Sequence, residues 1–194
     1  VVTGMEAHAG PTPMALRKDA LQVATRLMQE VVACAHRHPP HGRGTVGMVQ
    51  VFPNSRNVIP GQVKFSIDLR NATDALCDQM DADIRAIAAD LVEETGLQIK
   101  IDLVSSYPAQ PFNPACVQAV ANAAETLGYP SMKAVSGAGH DAVYMAQLAP
   151  AGMIFVPCKD GISHNEIESA EPAHLAAGCN VLLHAMLERA GVVA

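Results

Sequence analysis

Apolar positions in the first hundred residues follow two periods. A spacing of three or four residues predicts helices over residues 13–37 and 74–95. Strict alternation of apolar and polar residues predicts a strand with one buried face over residues 63–70, and the same pattern marks residues 97–103. Residues 45–51 form a further strand candidate. The first half of the chain therefore combines helices with strands of period two.

The ends of these elements carry capping signals. Thr12 and Pro13 suit the N-cap and the first position of the first helix, and Gly96 suits the C-cap of the second. The opening V-V-T-G is typical of the end of a strand, and because Val1 is not methionine we expect a fragment of a longer protein. The resulting order, strand–helix–strand–strand–helix–strand, is that of a ferredoxin-like α+β sandwich.

A change of pattern divides the chain. Three prolines within residues 107–114 predict a boundary between a first domain, residues 1–108, and a second, residues 109–194. In the second domain a helix is predicted from near Asn113 to Gly128. The continuous apolar run 153–156 predicts a strand covered on both faces. A last helix is predicted over residues 172–190, with Leu175, Cys179, Leu182, Leu183 and Met186 facing inward.

Composition excludes several classes of function. Hydrophobic residues make up 49% and charged residues 16% of the chain, as in packed globular proteins. The net charge of −6 and the scattered lysines and arginines argue against a nucleic-acid partner. No apolar run reaches the roughly 20 residues that cross a bilayer. Five widely spaced cysteines indicate free thiols in a reducing cytoplasm.

Four polar, glycine-rich segments lie beside apolar elements and are candidates for chemistry. They are residues 4–14, which hold His8; residues 54–70, which hold Asn57 and Arg70; residues 136–142, which hold Gly137, Gly139, His140 and Asp141; and residues 159–166, which hold His164. His164 follows the predicted strand at residues 153–156, where ligands bind in open α/β sheets. The remaining histidines, His36, His38, His41, His174 and His184, follow no motif and are expected at the surface or beside helices.

These four segments, in this order, resemble the second half of the hydantoinase/carbamoylase amidase family. That family includes N-carbamoyl-L-amino acid hydrolases, β-ureidopropionases and allantoate amidohydrolases. The resemblance implies a ferredoxin-like lid and dimerisation domain, followed by the C-terminal part of a di-metal, peptidase-like α/β catalytic domain. It also implies a homodimer formed through the lid, and two divalent ions (Zn²⁺, Mn²⁺ or Co²⁺) in each complete site.

The resemblance assigns a role to individual residues. His164 matches the last metal ligand, although an exposed loop histidine is the alternative. His8 matches the lid histidine that donates to the substrate carbonyl or to the oxyanion, and the alternative is a histidine that caps a strand end. Asn57 and Arg70 match the residues that recognise the substrate, with Arg70 suited to a carboxylate. The alternative is an Arg70–Asp68 pair on the polar face of the strand, and the two roles are compatible because Asp68 can orient Arg70.

The segment around Gly137 and Gly139 matches the loop that forms the floor of the substrate pocket. Small residues there allow backbone N–H groups to approach a ligand. His140 and Asp141 are open to two interpretations, a role in the pocket or a structural hydrogen-bonded pair.

The implied activity is metal-dependent hydrolysis of the carbamoyl C–N bond of N-carbamoyl-L-amino acids. Alternatives are an allantoate or acyl-amino-acid amidohydrolase, or a catalytically inactive dimerisation module. The family's other metal ligands and its glutamate base belong to the half that does not match this chain. We therefore expect an incomplete metal site and no activity from the isolated chain.

Overall fold

The computed structural model describes residues 1–191, which fall into two compact units. The first unit is Val1–Ala109, and the second begins at Gln110. The strands of the first unit are β1 (Val2–Thr3), β2 (Ala7–His8), β3 (Arg43–Thr45), β4 (Val49–Phe52), β5 (Val58–Ile59), β6 (Gln62–Phe65), β7 (Asp68–Arg70) and β8 (Gln98–Ile99). Its helices are α1 (Ala20–Arg37) and α2 (Asp74–Thr95), with a 3-10 turn at Met14–Leu16.

A four-stranded antiparallel sheet organises the first unit, in the order β4-β6-β1-β8. Val2 lies at its centre, opposite Val63 on one side and Ile99 on the other. Helices α1 and α2 pack on this sheet and on each other through a single core. The largest fully buried side chains of that core are Leu27, Met80, Ile84, Val2, Val31 and Val63.

The second helix is confirmed over the predicted range. It spans Asp74–Thr95, the Thr73 side chain accepts the first-turn N–H of Leu76, and Gly96 ends it at φ 68°. This left-handed conformation favours glycine, which lacks the Cβ that strains other residues there.

The first helix is shorter than predicted. It begins at Ala20, not at residue 13, and Asp19 is its N-cap, with Oδ1 accepting from the backbone N–H of Leu21 at 2.9 Å. Thr12 caps no helix, and Leu16 is exposed. The backbone before Ala20 is held extended because the Lys18 carbonyl accepts a hydrogen bond from the Met5 N–H.

A bulge interrupts the two long predicted strands. Thr45 pairs with Asp68, and Val49 pairs with Phe65, so residues 46–48 lie opposite only two residues on the other strand. Each predicted strand is therefore split, into β3 and β4 and into β6 and β7. A single extra residue on one strand has this effect because it disrupts the ladder locally and bends the strand.

The last strand of the first unit is also shorter than predicted. β8 covers Gln98–Ile99, whereas alternation extends over residues 97–103. The partner of β8 is β1, and the pairing ends where Lys100 and the terminal Val1 exchange backbone hydrogen bonds. Residues beyond this point have no strand opposite them and leave the sheet, since a strand needs a ladder partner to persist.

Gly44 marks the closest approach of β3 to helix α1. A Cβ at this position would lie 2.4 Å from the Val31 carbonyl oxygen and 3.2 Å from the Ala35 Cβ. We expect Gly44→Ala to lower the free energy of unfolding by about 1–3 kcal/mol, because the helix and strand must separate to admit the methyl group. Gly47→Ala is the control, since the nearest atom to its Cβ is Ser66 Oγ at 4.0 Å. Urea unfolding followed by circular dichroism checks this, and equal stability of both variants would contradict it.

Helices alone make up the regular structure of the second unit within the described residues. They are α3 (Pro114–Thr126), α4 (Asp141–Ala146) and α5 (Pro172–Ala190), with a 3-10 turn at Lys159–Gly161. Asn113 caps α3, where its Oδ1 accepts from the backbone N–H groups of Ala115 and Cys116. The predicted extents of α3 and α5 are confirmed.

The packing face of α5 is not the predicted one. All five residues expected to face inward are exposed: Leu175, Cys179, Leu182, Leu183 and Met186. Instead Val181 and Ala185 are buried against α3, which presents three alanines, Ala119, Ala123 and Ala124. Small residues on both helices allow a close approach, so the larger leucines lie outside the contact.

The predicted strand at residues 153–156 is wrong. This segment forms no strand, and Phe155 is exposed. No other strand is present in the described part of this unit, so the segment has no ladder partner. Its apolar side chains pack on helices instead: Ile154 joins the α3–α5 cluster, and Val156 lies so close to Gly178 that a Cβ there would meet it at 2.6 Å. None of the helices described is long and apolar enough to cross a membrane.

Candidate functional site

A short ribbon presents His8 beside the Asn57 loop. β2 pairs with β5, which places His8 opposite Val58, and the Ala9 N–H donates to the Asn57 carbonyl at 2.8 Å. Both His8 and Asn57 are exposed. The structure therefore brings together two residues that are 49 positions apart in the sequence.

The hydrogen bonds of the His8 ring define its polarity. The backbone N–H of Gly10 donates to His8 Nδ1 at 3.0 Å, so Nδ1 acts as an acceptor. In the neutral imidazole the proton is then on Nε2, which becomes the donor. Thr12 Oγ1 also donates to the His8 carbonyl at 2.7 Å and fixes the backbone that carries the ring. His8 is thus oriented as a hydrogen-bond donor at the surface of the first unit.

Arg17 holds this loop in shape, and the sequence analysis did not single it out. Its Nη2 donates to the Ala9 carbonyl at 2.6 Å and its Nε to the Thr12 carbonyl at 3.1 Å. The side chain is half-buried and spans the loop from inside. No sequence pattern marks this contact, because a single arginine before a helix has many equivalent uses.

Asn57 is the last residue of the β4–β5 connection, directly before β5. Ser55 Oγ donates to Asn57 Oδ1 at 3.1 Å, and the preceding Asn54 has φ 58°, a left-handed conformation that asparagine tolerates better than most residues. The Ser55 bond orients the amide of Asn57 without burying it.

Arg70 forms the pair with Asp68 that the sequence left open. Arg70 Nε donates to Asp68 Oδ1 at 2.8 Å and Nη2 donates to Oδ2 at 2.9 Å, a bidentate contact. The hydrogen bond from Arg70 lowers the pKa of the Asp68 carboxyl, so this carboxylate stays charged to lower pH than a free aspartate. The guanidinium is about half exposed and oriented by its neighbour.

In the second unit, the loop around Gly137 and Gly139 is open. Gly137 has φ 68°, and a Cβ at either glycine would meet no atom within 4 Å. Ser136 Oγ accepts from the Ala138 N–H at 3.2 Å and closes a small turn between the two glycines. The left-handed backbone conformation at position 137 favours glycine. At position 139 there is room for a larger side chain.

His140 has a structural role in this loop. It is the N-cap of α4, and its Nδ1 accepts from the backbone N–H of Ala142 at 3.0 Å. Asp141 occupies the first turn of that helix, where a negative charge is favourable. Both residues therefore stabilise the N-terminus of α4.

His164 is exposed on a loop closed by its own hydrogen bonds. Its backbone has φ 57°, and its N–H donates to Glu168 Oε2 at 2.9 Å. The Glu168 N–H in turn donates to the Asn165 carbonyl at 3.0 Å, and Lys159 bonds to Ser169 across the loop. A non-glycine residue in this conformation is strained, and its surroundings must impose it.

Within the described part of the chain, His164 belongs to no group of three or more metal-ligating side chains. Among residues 1–191, one group brings together three metal-ligating side chains, and it consists of Cys34, His38 and Asp83. His164 is outside that group. It can supply one imidazole to an ion, whereas a two-ion centre needs a bridging carboxylate and several further ligands.

The Cys34 group is a site that the sequence analysis missed. His38 is half-buried at the C-cap of α1 and its Nε2 lies 2.9 Å from Asp83 Oδ2, so of the two positions predicted for it, at the surface or beside a helix, it occupies the second. A signal was present in the sequence. Cys34 and His38 are four residues apart at the end of α1, and such residues lie on the same face of a helix.

Comparison with known proteins identifies the family of this chain. The model of peptidase family M20/M25/M40 matches residues 4–188. The chain belongs to this family. Among curated proteins it is 44% identical to an N-carbamoyl-L-amino-acid amidohydrolase of Rhizobium meliloti, over 99% of this chain and 46% of that protein. It is 34% identical to an allantoate amidohydrolase of Bacillus subtilis, over 90% of the chain and 42% of that protein.

Solved structures of related proteins have the same fold as this chain. A hydantoinase/carbamoylase family amidase from Burkholderia multivorans superposes with a TM-score of 0.92 at 56% identity, covering 97% of this chain and 46% of that one. The aminopeptidase PepT of Bacillus cereus, at 19% identity and a TM-score of 0.72, shares the fold. The resemblance to the hydantoinase/carbamoylase amidases is confirmed. The chain spans about half the length of these relatives.

Proposed function

We propose that this M20-family chain is the substrate-recognition half of a metal-dependent amidohydrolase that cleaves the carbamoyl C–N bond of N-carbamoyl-L-amino acids. The observation that carries the proposal is the 44% identity to an N-carbamoyl-L-amino-acid amidohydrolase along nearly all of this chain. The polar groups exposed on the first unit, an imidazole donor and an oriented guanidinium, suit the two ends of such a substrate.

Each candidate residue has a chemical role in this proposal. His8 Nε2–H donates to the ureido oxygen and stabilises the negative charge that develops there as the carbonyl is attacked. Arg70, kept in a fixed plane by Asp68, binds the carboxylate of the amino acid. Asn57 contributes its amide to the same substrate from the neighbouring loop.

In the proposed catalytic metal centre, this chain supplies His164 alone. Its imidazole would be one ligand of a centre whose other ligands lie outside the 194 residues. Divalent ions in such centres polarise a carbonyl and activate water. Because no group of three or more metal-ligating side chains among the described residues includes His164, we propose that the isolated chain is inactive.

We also propose that the first unit is a ferredoxin-like lid, residues 1–108, and that residues 109–194 are the C-terminal part of the catalytic domain. The chain order of the main sheet and helices is β1-α1-β4-β6-α2-β8, and the sheet order is β4-β6-β1-β8. This alternation of strands and helices, with both helices packed on the sheet, supports the assignment. The division of the chain after Ala109 agrees with the proposed boundary.

Substrate competition tests the function. A protein of the relatives' full length that contains these residues should hydrolyse an N-carbamoyl-L-amino acid with a higher kcat/KM than allantoate or an N-acyl amino acid. The 194-residue chain should hydrolyse none of them. A preference for allantoate would replace the proposed substrate, and turnover by the isolated chain would refute the division of the site.

Arg70→Lys should raise KM for a carboxylate substrate by about tenfold to a hundredfold, with a smaller change in kcat. Lysine keeps the positive charge but loses the planar fork that binds a carboxylate through two hydrogen bonds. Steady-state kinetics of the full-length protein measure this effect.

Arg43→Lys is the matched control, because Arg43 lies directly opposite Arg70 on β3 and bonds to the carbonyls of Pro40 and Gly42. Its KM should be unchanged. With a substrate whose carboxylate is converted to an amide, wild type and Arg70→Lys should have the same KM. An unchanged KM in Arg70→Lys with the carboxylate substrate would remove Arg70 from the substrate site.

We propose that the chain forms a homodimer through the first unit. β4 is an edge strand of the main sheet, and Met48, Val49 and Phe52 are exposed along it. An exposed apolar edge favours pairing with a second copy. Val49→Lys should therefore shift the 194-residue chain from dimer to monomer in sedimentation at micromolar concentration. Leu103→Lys, at an exposed apolar residue away from this edge, should remain dimeric, and a monomeric wild type would contradict the proposal.

A further inference from the structure

Three metal-ligating side chains converge where the end of α1 meets α2. One ligand atom each from Cys34, His38 and Asp83 lies within 4.8 Å of the others. Two elements contribute them, since Cys34 is on α1, His38 is its C-cap, and Asp83 is on α2. Tetrahedral zinc holds nitrogen, oxygen and sulfur ligands roughly 3.3–3.6 Å apart, so adjustments of about an ångström complete this arrangement.

The surroundings hold the three side chains in place. Asp83 Oδ1 accepts from Gln79 Nε2 at 2.8 Å, which orients the carboxylate so that Oδ2 faces His38. The His38 backbone is fixed on both sides, by its N–H to the Ala35 carbonyl and by its carbonyl to the Gly42 N–H. Gln79 has the position of an outer hydrogen-bond partner that orients a metal-binding carboxylate.

Charge and access favour a divalent, thiophilic ion. A Cys34 thiolate and an Asp83 carboxylate neutralise two positive charges, and the neutral His38 ring adds a third ligand, so the occupied site carries no net charge. This balance matters because Cys34 is fully buried and an unbalanced charge there is costly. Side chains of His38 and Asp83 are 14% and 31% exposed, which gives an ion a path from the surface.

We propose that Cys34, His38 and Asp83 form a binding site for one thiophilic divalent cation of the zinc class, which joins the end of α1 to α2. The site lies within the first unit and is separate from the proposed role of His164. On binding, the Cys34 thiol loses its proton to solvent, and the sulfur, an imidazole nitrogen and a carboxylate oxygen each form one bond to the ion. A water molecule completes four-coordination. The ion acts as a structural link between the two helices.

Cobalt titration tests this site. Co²⁺ added to the metal-free 194-residue chain should produce a thiolate-to-cobalt charge-transfer band that saturates at one ion per chain, and Zn²⁺ should displace it. Zn²⁺ at a hundredfold excess over its Kd should raise Tm by about 5–10 °C, because it binds the folded state. Absence of the band, with an unchanged Tm, would overturn the proposal and leave a metal-free hydrogen-bonded triad.

Variants assign the ligands. Cys34→Ala should abolish the band, and Cys77→Ala, at a half-buried cysteine outside the group, should keep it. His38→Gln and Asp83→Asn should each weaken Co²⁺ binding by at least about tenfold. These two substitutions are at partly exposed positions, so they keep the test valid if Cys34→Ala does not fold. A band that persists in Cys34→Ala, or unchanged affinity in both other variants, would refute the site.

Discussion

Replacing His8 with asparagine should lower kcat of a full-length protein that contains this chain by about 100- to 1000-fold, if it has the proposed amidohydrolase activity. The substitution distinguishes the roles of the two ring nitrogens. Asparagine Oδ1 can still accept the Gly10 N–H that His8 Nδ1 accepts at 3.0 Å, so the loop keeps its internal bond. What is lost is the Nε2–H donor, which we propose stabilises the oxyanion. The loss should therefore fall on turnover, with the fold retained.

The control for this variant is His36→Asn, which makes the same change at an exposed histidine in the last turn of α1. Its kcat should equal that of the wild type. Metal content and the circular dichroism spectrum should be the same in all three proteins. Normal turnover in His8→Asn would remove His8 from the reaction, whereas loss of its folded spectrum would assign His8 to the structure of the strand end.

Local sequence signals predicted elements better than they predicted where the elements end. The period of two over residues 63–70 correctly indicated extended chain, but no pattern revealed the bulge opposite residues 46–48. A bulge depends on the match between two strands, which neither strand encodes alone. The start of α1 was readable, because Asp19 and Gln22 form the spacing of a capping box. The predicted N-cap, Thr12, lies before the observed one because the apolar spacing that predicts the helix continues back to Leu16, which is exposed outside it.

The buried face of α5 in the second unit was also not predictable from the sequence of the helix. Hydrophobicity alone favoured the leucines of α5 as its inward face, whereas Val181 and Ala185 are the buried residues. The deciding factor is the partner: α3 offers alanines, and small side chains face small side chains where two helices lie close. A partner surface of this kind cannot be inferred from the α5 sequence by itself.

In the candidate site, too, some features could be predicted from the sequence and others could not. The segments around His8 and Asn57 could be recognised from residue type and order, because glycines and prolines around polar side chains mark rigid, exposed turns. The contacts that orient them could not. The bond from Gly10 to the His8 ring and the clamp by Arg17 depend on the folded path of the loop. These contacts decide which nitrogen of His8 is a donor, and hence what the residue can do.

Leu27→Ala should produce the largest loss of stability, about 2–5 kcal/mol. Leu27 is 1% exposed and belongs to the core that α1 shares with the sheet and with α2. Removing its isobutyl group leaves a cavity, since the neighbouring helix and strands are held by their own hydrogen bonds and relax only in part. That amount is a large fraction of the stability of a domain of this size.

Hydrogen exchange resolves where the stability is lost. Opening free energies of the slowest amides in α1, α2 and β6 should fall together in Leu27→Ala, because these elements share one core. Amides of α3 and α5, which pack around a separate cluster, should keep their wild-type protection. Val32→Ala removes an exposed side chain from the same helix and should change protection by no more than about 0.5 kcal/mol. A uniform loss of protection in both units would show that they unfold as one body, whereas a loss confined to α1, α2 and the sheet would establish that the unit carrying His8 has its own stability.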